Sequence, residues 1–265
     1  IVNLLRLEEN EKVLSIISMN EYDENHFLFF ITKNGIVKKT SSNQFENINS
    51  NGKIAISLRE GDALLDVRPT DGKAIISLGS SGGKVCSFYE SDVRPMGRTA
   101  SGVKGIDLPE EEEVVGLVSS LDGTKIFSLS ENGYGKITDG TEYRITFRGS
   151  KGVKTIKETE RNGGLFVIKN VRGDEDIILI TDHGTTIRTS LTQVNETSRN
   201  TVGVKIITLR NNEKLSSVSV LPSEEDYEEE LPPVQEEEKE VPSSDDKAME
   251  ELLRRAEQEN PEDDE

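Results

Sequence analysis

The 265-residue sequence has no tryptophan, one cysteine (Cys86), two histidines and eight prolines. A single cysteine forms no internal disulfide and no zinc-binding cluster, which agrees with a reducing compartment. Two histidines leave little material for histidine-based catalysis or metal binding. No stretch approaches the roughly 20 apolar residues of a membrane-spanning helix, and no charged start followed by an apolar run marks a signal peptide. The sequence opens on Ile1 in mid-pattern and reads as a fragment of a longer polypeptide. Proline is sparse before residue 222 (Pro69, Pro95 and Pro109), as hydrogen-bonded strands require.

Charge is present, but unevenly. The formal net charge is −18. Pro222 to Glu265 holds 20 acidic and 4 basic residues, a net of −16, so Ile1 to Leu221 carries only −2. A near-neutral body, 1–221, is therefore followed by an acidic tail, 222–265. The tail's glutamate runs, broken by Pro232, Pro233 and Pro242, bury too little apolar surface to order and predict a mostly disordered segment. One short helix is conceivable there, capped by Ser244, with Ala248, Met249, Leu252, Leu253 and Ala256 on one face. Two readings of the tail stand open. It mimics a polyanion and competes for basic surface, or it only solubilises.

The body repeats. Thr32-Lys33-Asn34-Gly35, Ser81-Gly82-Gly83, Glu131-Asn132-Gly133 and Thr181-Asp182-His183-Gly184 each follow an apolar, β-rich run. The aligned glycines 35, 83, 133 and 184 are 48, 50 and 51 residues apart. Asn-Gly or a near equivalent between β-formers is a strong hairpin signal. A second landmark keeps the same period: Gly52-Lys53, Gly102-Val103-Lys104, Gly152-Val153-Lys154 and Gly203-Val204-Lys205. Each unit has room for about four short strands, the size of a propeller-type blade. One such sheet buries a face poorly, so neighbours must pack face to face. The expectation is an all-β, propeller-like array of four full blades plus part of a preceding one.

The informative constellation is basic. Arg98, Arg148 and Arg199 stand four residues before the second glycine, and Lys104, Lys154 and Lys205 two after it. The first unit departs, with Ile48 in place of the arginine and Lys53 directly after Gly52. Lys38, Lys39, Arg94, Arg144, Lys151, Lys157 and Arg188 accompany the pattern. On a radial array, one position per repeat lands on one place per blade, so these cations form a curved stripe. Such a stripe suits bent DNA, which presents a charge about every 1.7 Å of its axis. The glycine between the cations is expected to let backbone approach a phosphate. The competing reading is a solvated face balancing glutamates on a protein-binding propeller. No catalytic set emerges. His183 and His26 read as turn and loop residues, Tyr134 as packing and Cys86 as a buried strand residue. The glycine-rich turns lack the strand–loop–helix context of a phosphate cradle.

Specific strings then narrow the class. Ile1-Val2-Asn3-Leu4-Leu5, Asn34-Gly35-Ile36-Val37-Lys38-Lys39-Thr40, Ser91-Asp92-Val93-Arg94-Pro95-Met96-Gly97 and Asn132-Gly133-Tyr134-Gly135-Lys136 are four of them. Lys157-Glu158-Thr159-Glu160-Arg161-Asn162-Gly163 and Ser198-Arg199-Asn200-Thr201-Val202-Gly203-Val204 are two more. Together they resemble the C-terminal domain of bacterial DNA gyrase A subunits, collinearly from Ile1 to about Leu221. The acidic extension resembles tails in that family. The resemblance implies a β-pinwheel, a disc of four-stranded blades with strands exchanged between neighbours, whose basic rim wraps double-stranded DNA. It implies a type IIA topoisomerase parent that introduces negative supercoils, with two A and two B subunits in the cytoplasm, near the nucleoid. ATP and Mg would belong to the holoenzyme, with no cofactor, metal or catalytic residue in this chain. The family's Gln-Arg-Arg-Gly-Gly-Lys-Gly-like heptapeptide is absent, which places the start of the chain late in a second blade. The related module of topoisomerase IV, which serves decatenation, and a propeller-like interaction scaffold remain alternatives.

Overall fold

The computed structural model describes residues 11, 13–19, 21–48, 52–210 and 212–221. The chain falls into two units, Ile1–Ser223 and Glu224–Glu265. All described residues belong to the first. The acidic tail, with its expected disorder and its candidate helix, lies outside them.

Among the described residues, fifteen strands follow the repeat. The first repeat has β1 (Phe27–Thr32), β2 (Ile36–Ser41) and β3 (Leu64–Thr70). The second has β4 (Ile75–Ser80), β5 (Lys84–Tyr89), β6 (Val103–Lys104) and β7 (Val114–Ser119). The third has β8 (Lys125–Ser130), β9 (Tyr134–Asp139), β10 (Val153–Lys154) and β11 (Leu165–Val171). The fourth has β12 (Asp176–Thr181), β13 (Thr186–Ser190), β14 (Val204–Lys205) and β15 (Leu215–Leu221). A single 3₁₀ turn follows the second strand of every hairpin.

The hairpins form as the glycine pattern predicts. Gly35, Gly83, Gly133 and Gly184 each donate their N–H to the carbonyl three residues earlier, at 2.9–3.1 Å. The residue supplying that carbonyl is Thr32, Ser80, Ser130 or Thr181, each buried. In three of the four its hydroxyl also accepts an amide four residues on, at 3.1–3.2 Å. A small hydroxylated residue thus closes the turn twice.

Pairing then departs from sequence order. The sheets run β3-β1-β2-β6, β10-β5-β4-β7, β11-β8-β9-β14 and β13-β12-β15. Strands β3, β7, β11 and β15 lie at the inner side, where they meet one another. The outermost strand of each of the first three sheets comes from the repeat that follows. Strand β6 leaves the second repeat to pair with β2, β10 leaves the third for β5, and β14 leaves the fourth for β9. The fourth sheet accordingly has three strands among the described residues, not the four expected. The expected partial blade before β1 lies largely outside the described residues. Described residues 13–19 form no strand, although Ile17 and Met19 pack against Phe30, Phe45 and Val67.

The apolar cores lie between neighbouring sheets, as the one-sided burial of a lone blade requires. Phe29, Ile31 and Val37 of the first sheet meet Ile76, Leu78, Cys86 and Phe88 of the second. Val85, Val118 and Ile126 pack with Tyr143, Ile156 and Ile168 between the second and third. Phe127, Leu129 and Ile137 meet Ile177, Leu179 and Leu215 between the third and fourth.

The second landmark glycines make the strand exchange possible. Gly102, Gly152 and Gly203 have φ of 94°, 71° and 84°. A Cβ at each would stand 2.5 Å from the carbonyl oxygen of Val37, Val85 or Gly135. These glycines are required by the neighbouring strand beneath them, a need the sequence did not suggest. Gly52, at φ 73°, has open space around its Cβ position. Gly152→Ala should therefore destabilise the fold by about 3 kcal/mol, combining left-handed strain with a backbone clash, and Gly52→Ala by about 1 kcal/mol through strain alone. Urea unfolding of the two variants checks this, and equal losses would refute it.

Candidate nucleic-acid interface

The lent strands form the outer edge, and their lysines point outward. Lys104, Lys154 and Lys205 are the second residues of β6, β10 and β14, and all three are exposed. Their places are equivalent because the same amide anchors each segment to a hairpin turn. The N–H of Gly105, Thr155 and Ile206 donates to the carbonyl of Gly35, Gly83 and Gly133 at 2.8–2.9 Å. Lys104 pairs with Asp107 at 2.8 Å, and that hydrogen bond holds the Asp107 carboxyl below its usual range. Lys205 lies 5.8 Å from the Tyr134 ring centre. Among the described residues, no hydrogen bond or ion pair occupies the side chains of Lys151, Lys154, Arg94 or Arg144, and all four are exposed.

The repeat arginines do something the sequence did not reveal. Arg148 Nη1 donates to the Lys104 carbonyl at 3.1 Å, and its Nε to the Asp92 carbonyl at 3.0 Å. Arg199 Nη1 donates to the Lys154 carbonyl at 3.2 Å, with Glu142 4.0 Å from its Nε. Arg98 Nη1 reaches the Ile54 carbonyl at 3.4 Å. Each arginine thus bonds the equivalent position on the preceding rim segment, one repeat back. Backbone contacts reinforce the link, with Gly149 N–H on Gly105 O at 2.6 Å and Lys157 N–H on Thr201 O at 3.0 Å. The rim is one connected band. Its arginines are half-buried staples that keep some of their five N–H donors free, and the lysines and Arg94 and Arg144 supply the exposed charge.

Two expected rim residues are elsewhere. Lys38 and Lys39, on β2, are buried, because the segments carrying Ala55 and Arg98 close over Lys38, and Glu90 and the Phe27 ring close over Lys39. Lys38 Nζ donates to the Ala55 carbonyl at 2.5 Å and to the Arg98 carbonyl. Lys39 Nζ meets Glu90 Oε1 at 3.7 Å and lies 4.8 Å from the Phe27 ring centre. Neither reaches a ligand at the rim. Arg188 occupies the Lys39 position in the fourth repeat, is exposed, and pairs with Asp176 at 2.5 Å. Lys53 is half-buried, with Nζ 3.3 Å from the Gln44 carbonyl. Ile48 and Ile54 hold the Arg98 and Lys104 places in the first repeat and are 62% and 65% exposed, so the cationic band fades there.

A third buried group escaped the sequence. Lys136, at the Lys38 position of the third repeat, is fully buried and donates to the carbonyls of Ser198, at 2.7 Å, and Arg199. Cys86 takes this place in the second repeat, with Sγ 3.1 Å from Ser150 Oγ and 3.7 Å from Gly105 O. In the fourth it is Ile187. The same offset from the hairpin glycine in two repeats was the available signal. Elsewhere, Glu21, Asp23 and His26 gather within 4.8 Å of one another. Asp23 Oδ1 there accepts the Asn25 and His26 amides at 2.7 and 2.8 Å, which makes the group a turn.

Strand-exchanged, propeller-like blades with a cationic outer edge define a β-pinwheel. Residues 26–71, 75–120, 124–167 and 175–222 each match the family described as DNA gyrase C-terminal domain, beta-propeller, and the chain belongs to that family. The DNA gyrase A subunit of Mycoplasma genitalium is 46% identical over 231 residues, covering 87% of this chain and 28% of that protein. Its counterpart from Staphylococcus aureus is 42% identical over 235 residues, covering 87% and 26%. The chain thus spans about a quarter of these relatives. Among solved structures, the C-terminal domain of DNA topoisomerase IV matches with TM-score 0.77 and 26% identity, over 84% of this chain and 70% of that one. The DNA gyrase A C-terminal domain matches with TM-score 0.73 and 25% identity, over 83% and 74%.

The buried lysines carry a pH dependence. Burial pulls the Lys38 and Lys136 ammonium groups from 10.5 to about 8. Arg98 adds to the effect at Lys38, while at Lys136 Glu142 opposes it and Arg199 adds to it. The folded value lies below the unfolded one, so between pH 8 and 10.5 the folded chain binds fewer protons than the unfolded chain. Each lysine's contribution to stability is lowest below pH 8 and rises with pH across that window. In urea unfolding, the stability difference between wild type and Lys38→Met/Lys136→Met should grow by up to about 1.4 kcal/mol per pH unit per lysine there. NMR titration of the wild-type lysine side chains should give two midpoints near 8, and midpoints near 10.5 would refute the burial account.

Proposed function

We propose that this chain is a DNA-wrapping module of a gyrase A subunit, binding double-stranded DNA along its outer edge. The observation that carries the proposal is the equivalent, outward placement of Lys104, Lys154 and Lys205 on edge strands linked by the arginine staples. A curved band of fixed cations favours a bent polyanion through counterion release. No α-helix is present among the described residues to read a major groove, so phosphate contact and DNA deformability account for binding, with little base readout. Arg94, Arg144, Lys151 and Lys157 extend the band. Within a larger assembly of two A and two B subunits, curling DNA against this surface would support ATP-dependent negative supercoiling in the cytoplasm. ATP and Mg would act in other parts of that assembly, and this chain supplies no catalytic group.

The topoisomerase IV reading has one observation in its favour, the TM-score of 0.77 against 0.73. The sequence relatives at 42–46% identity, both gyrase A chains, weigh more, since both structural matches stand near 25%.

Binding to duplex DNA, measured against salt, tests the proposal. With roughly 6–10 phosphates engaged, affinity should fall about 10³–10⁵-fold between 50 and 200 mM salt. Lys154→Glu with Lys205→Glu should weaken binding alike on all sequences and flatten the slope of log K against log salt by about 1 per lost contact. A slope near zero in the wild type would assign this face to a protein partner instead.

A further inference from the structure

One rim loop carries a side chain that phosphate contact does not use. Phe147 is 84% exposed, the most exposed large apolar side chain among the described residues, and Ile145 beside it is 37% exposed. The exposure does not come from a loose loop. On one side, Thr146 N–H donates to the Ser87 carbonyl at 2.7 Å, and Ile145 bridges to Ser87. On the other, Gly149 N–H donates to the Gly105 carbonyl at 2.6 Å, and Thr146 Oγ1 lies 2.8 Å from Ser150 Oγ. Arg148, next in sequence, is fixed by two backbone carbonyls. A ring is thus held out from a pinned tip.

The surroundings say what it meets. Arg144 and Lys151 are exposed, with no hydrogen bond or ion pair on their side chains among the described residues, and Arg148 lies between them in sequence. Cations on both sides of an apolar tip along the chain suit a groove bordered by two phosphate strands. Gly97 and Ser198 hold the matching position, just before the repeat arginine, in the second and fourth repeats. Only the third repeat, of these three, presents an aromatic ring. Apolar side chains entering the minor groove between base steps unstack them and kink the duplex, and pyrimidine–purine steps yield most readily.

We propose that Phe147 is a wedge that enters the minor groove of bound DNA and opens one base step, a local kink toward the major groove that interrupts the smooth curl of the duplex at the third repeat. The inference rests on the DNA-binding reading above. The probe is a duplex with 2-aminopurine at its TA steps, titrated with the full chain. Wild type should brighten the fluorophore on binding. Phe147→Ala should abolish the brightening and lose roughly three- to tenfold in affinity, with the salt slope unchanged because every cation remains. Phe147→Leu should keep most of the signal. Salt-dependent binding without brightening, or equal brightening by Phe147→Ala, would overturn the wedge and leave the binding reading intact. A chain that fails to bind the duplex sinks both.

Discussion

Everything on the outer surface depends on one backbone contact, the amide of a lent segment on the carbonyl of a neighbour's hairpin glycine. Gly105, Thr155 and Ile206 make it onto Gly35, Gly83 and Gly133. It sets the register of β6, β10 and β14, and register alone decides which side chain of a two-residue strand faces water. A slip of one residue would turn Val103, Val153 and Val204 outward and the lysines inward. The glycines just before these strands keep a Cβ off the strand below. Surface charge in this protein is therefore a consequence of backbone fit.

The same contact explains why the rim is continuous. Because each repeat reaches back over its predecessor, its arginine comes within reach of the earlier segment's carbonyl, and a solvated cation becomes a staple. Arg148 on Lys104 and Arg199 on Lys154 differ by only 0.1 Å. That regularity separates the band from scattered surface ion pairs, which contribute little. Charge is delivered by lysines on strands that cannot shift independently.

The period, the hairpins and the all-β class were legible from the sequence, since Asn-Gly turns, buried β-formers and a 50-residue recurrence are local properties. The exposed lysines of the lent strands were legible too, once the repeat was in phase. Burial of Lys38 and Lys39 was not. A Lys-Lys pair in a strand reads as surface until the segments carrying Ala55, Glu90 and Arg98, 17 to 60 residues away, close over it. Lys136 was hidden for the same reason, because its acceptors Ser198 and Arg199 belong to the next repeat. The role of the landmark glycines was hidden as well, because their close neighbour, a carbonyl on another blade, has no local signature.

The interior position three residues after the hairpin glycine holds lysine in the first and third blades (Lys38, Lys136), Cys86 in the second and Ile187 in the fourth. Each has become particular to the carbonyls or the thinner contact above it. Backbone similarity would suggest that the units are interchangeable parts, yet moving the third unit into the second place would slide an ammonium under a loop now seated on a thiol. Divergence at one interior position has left a duplicated architecture with three kinds of seat among four blades, so that neighbouring blades cannot trade places.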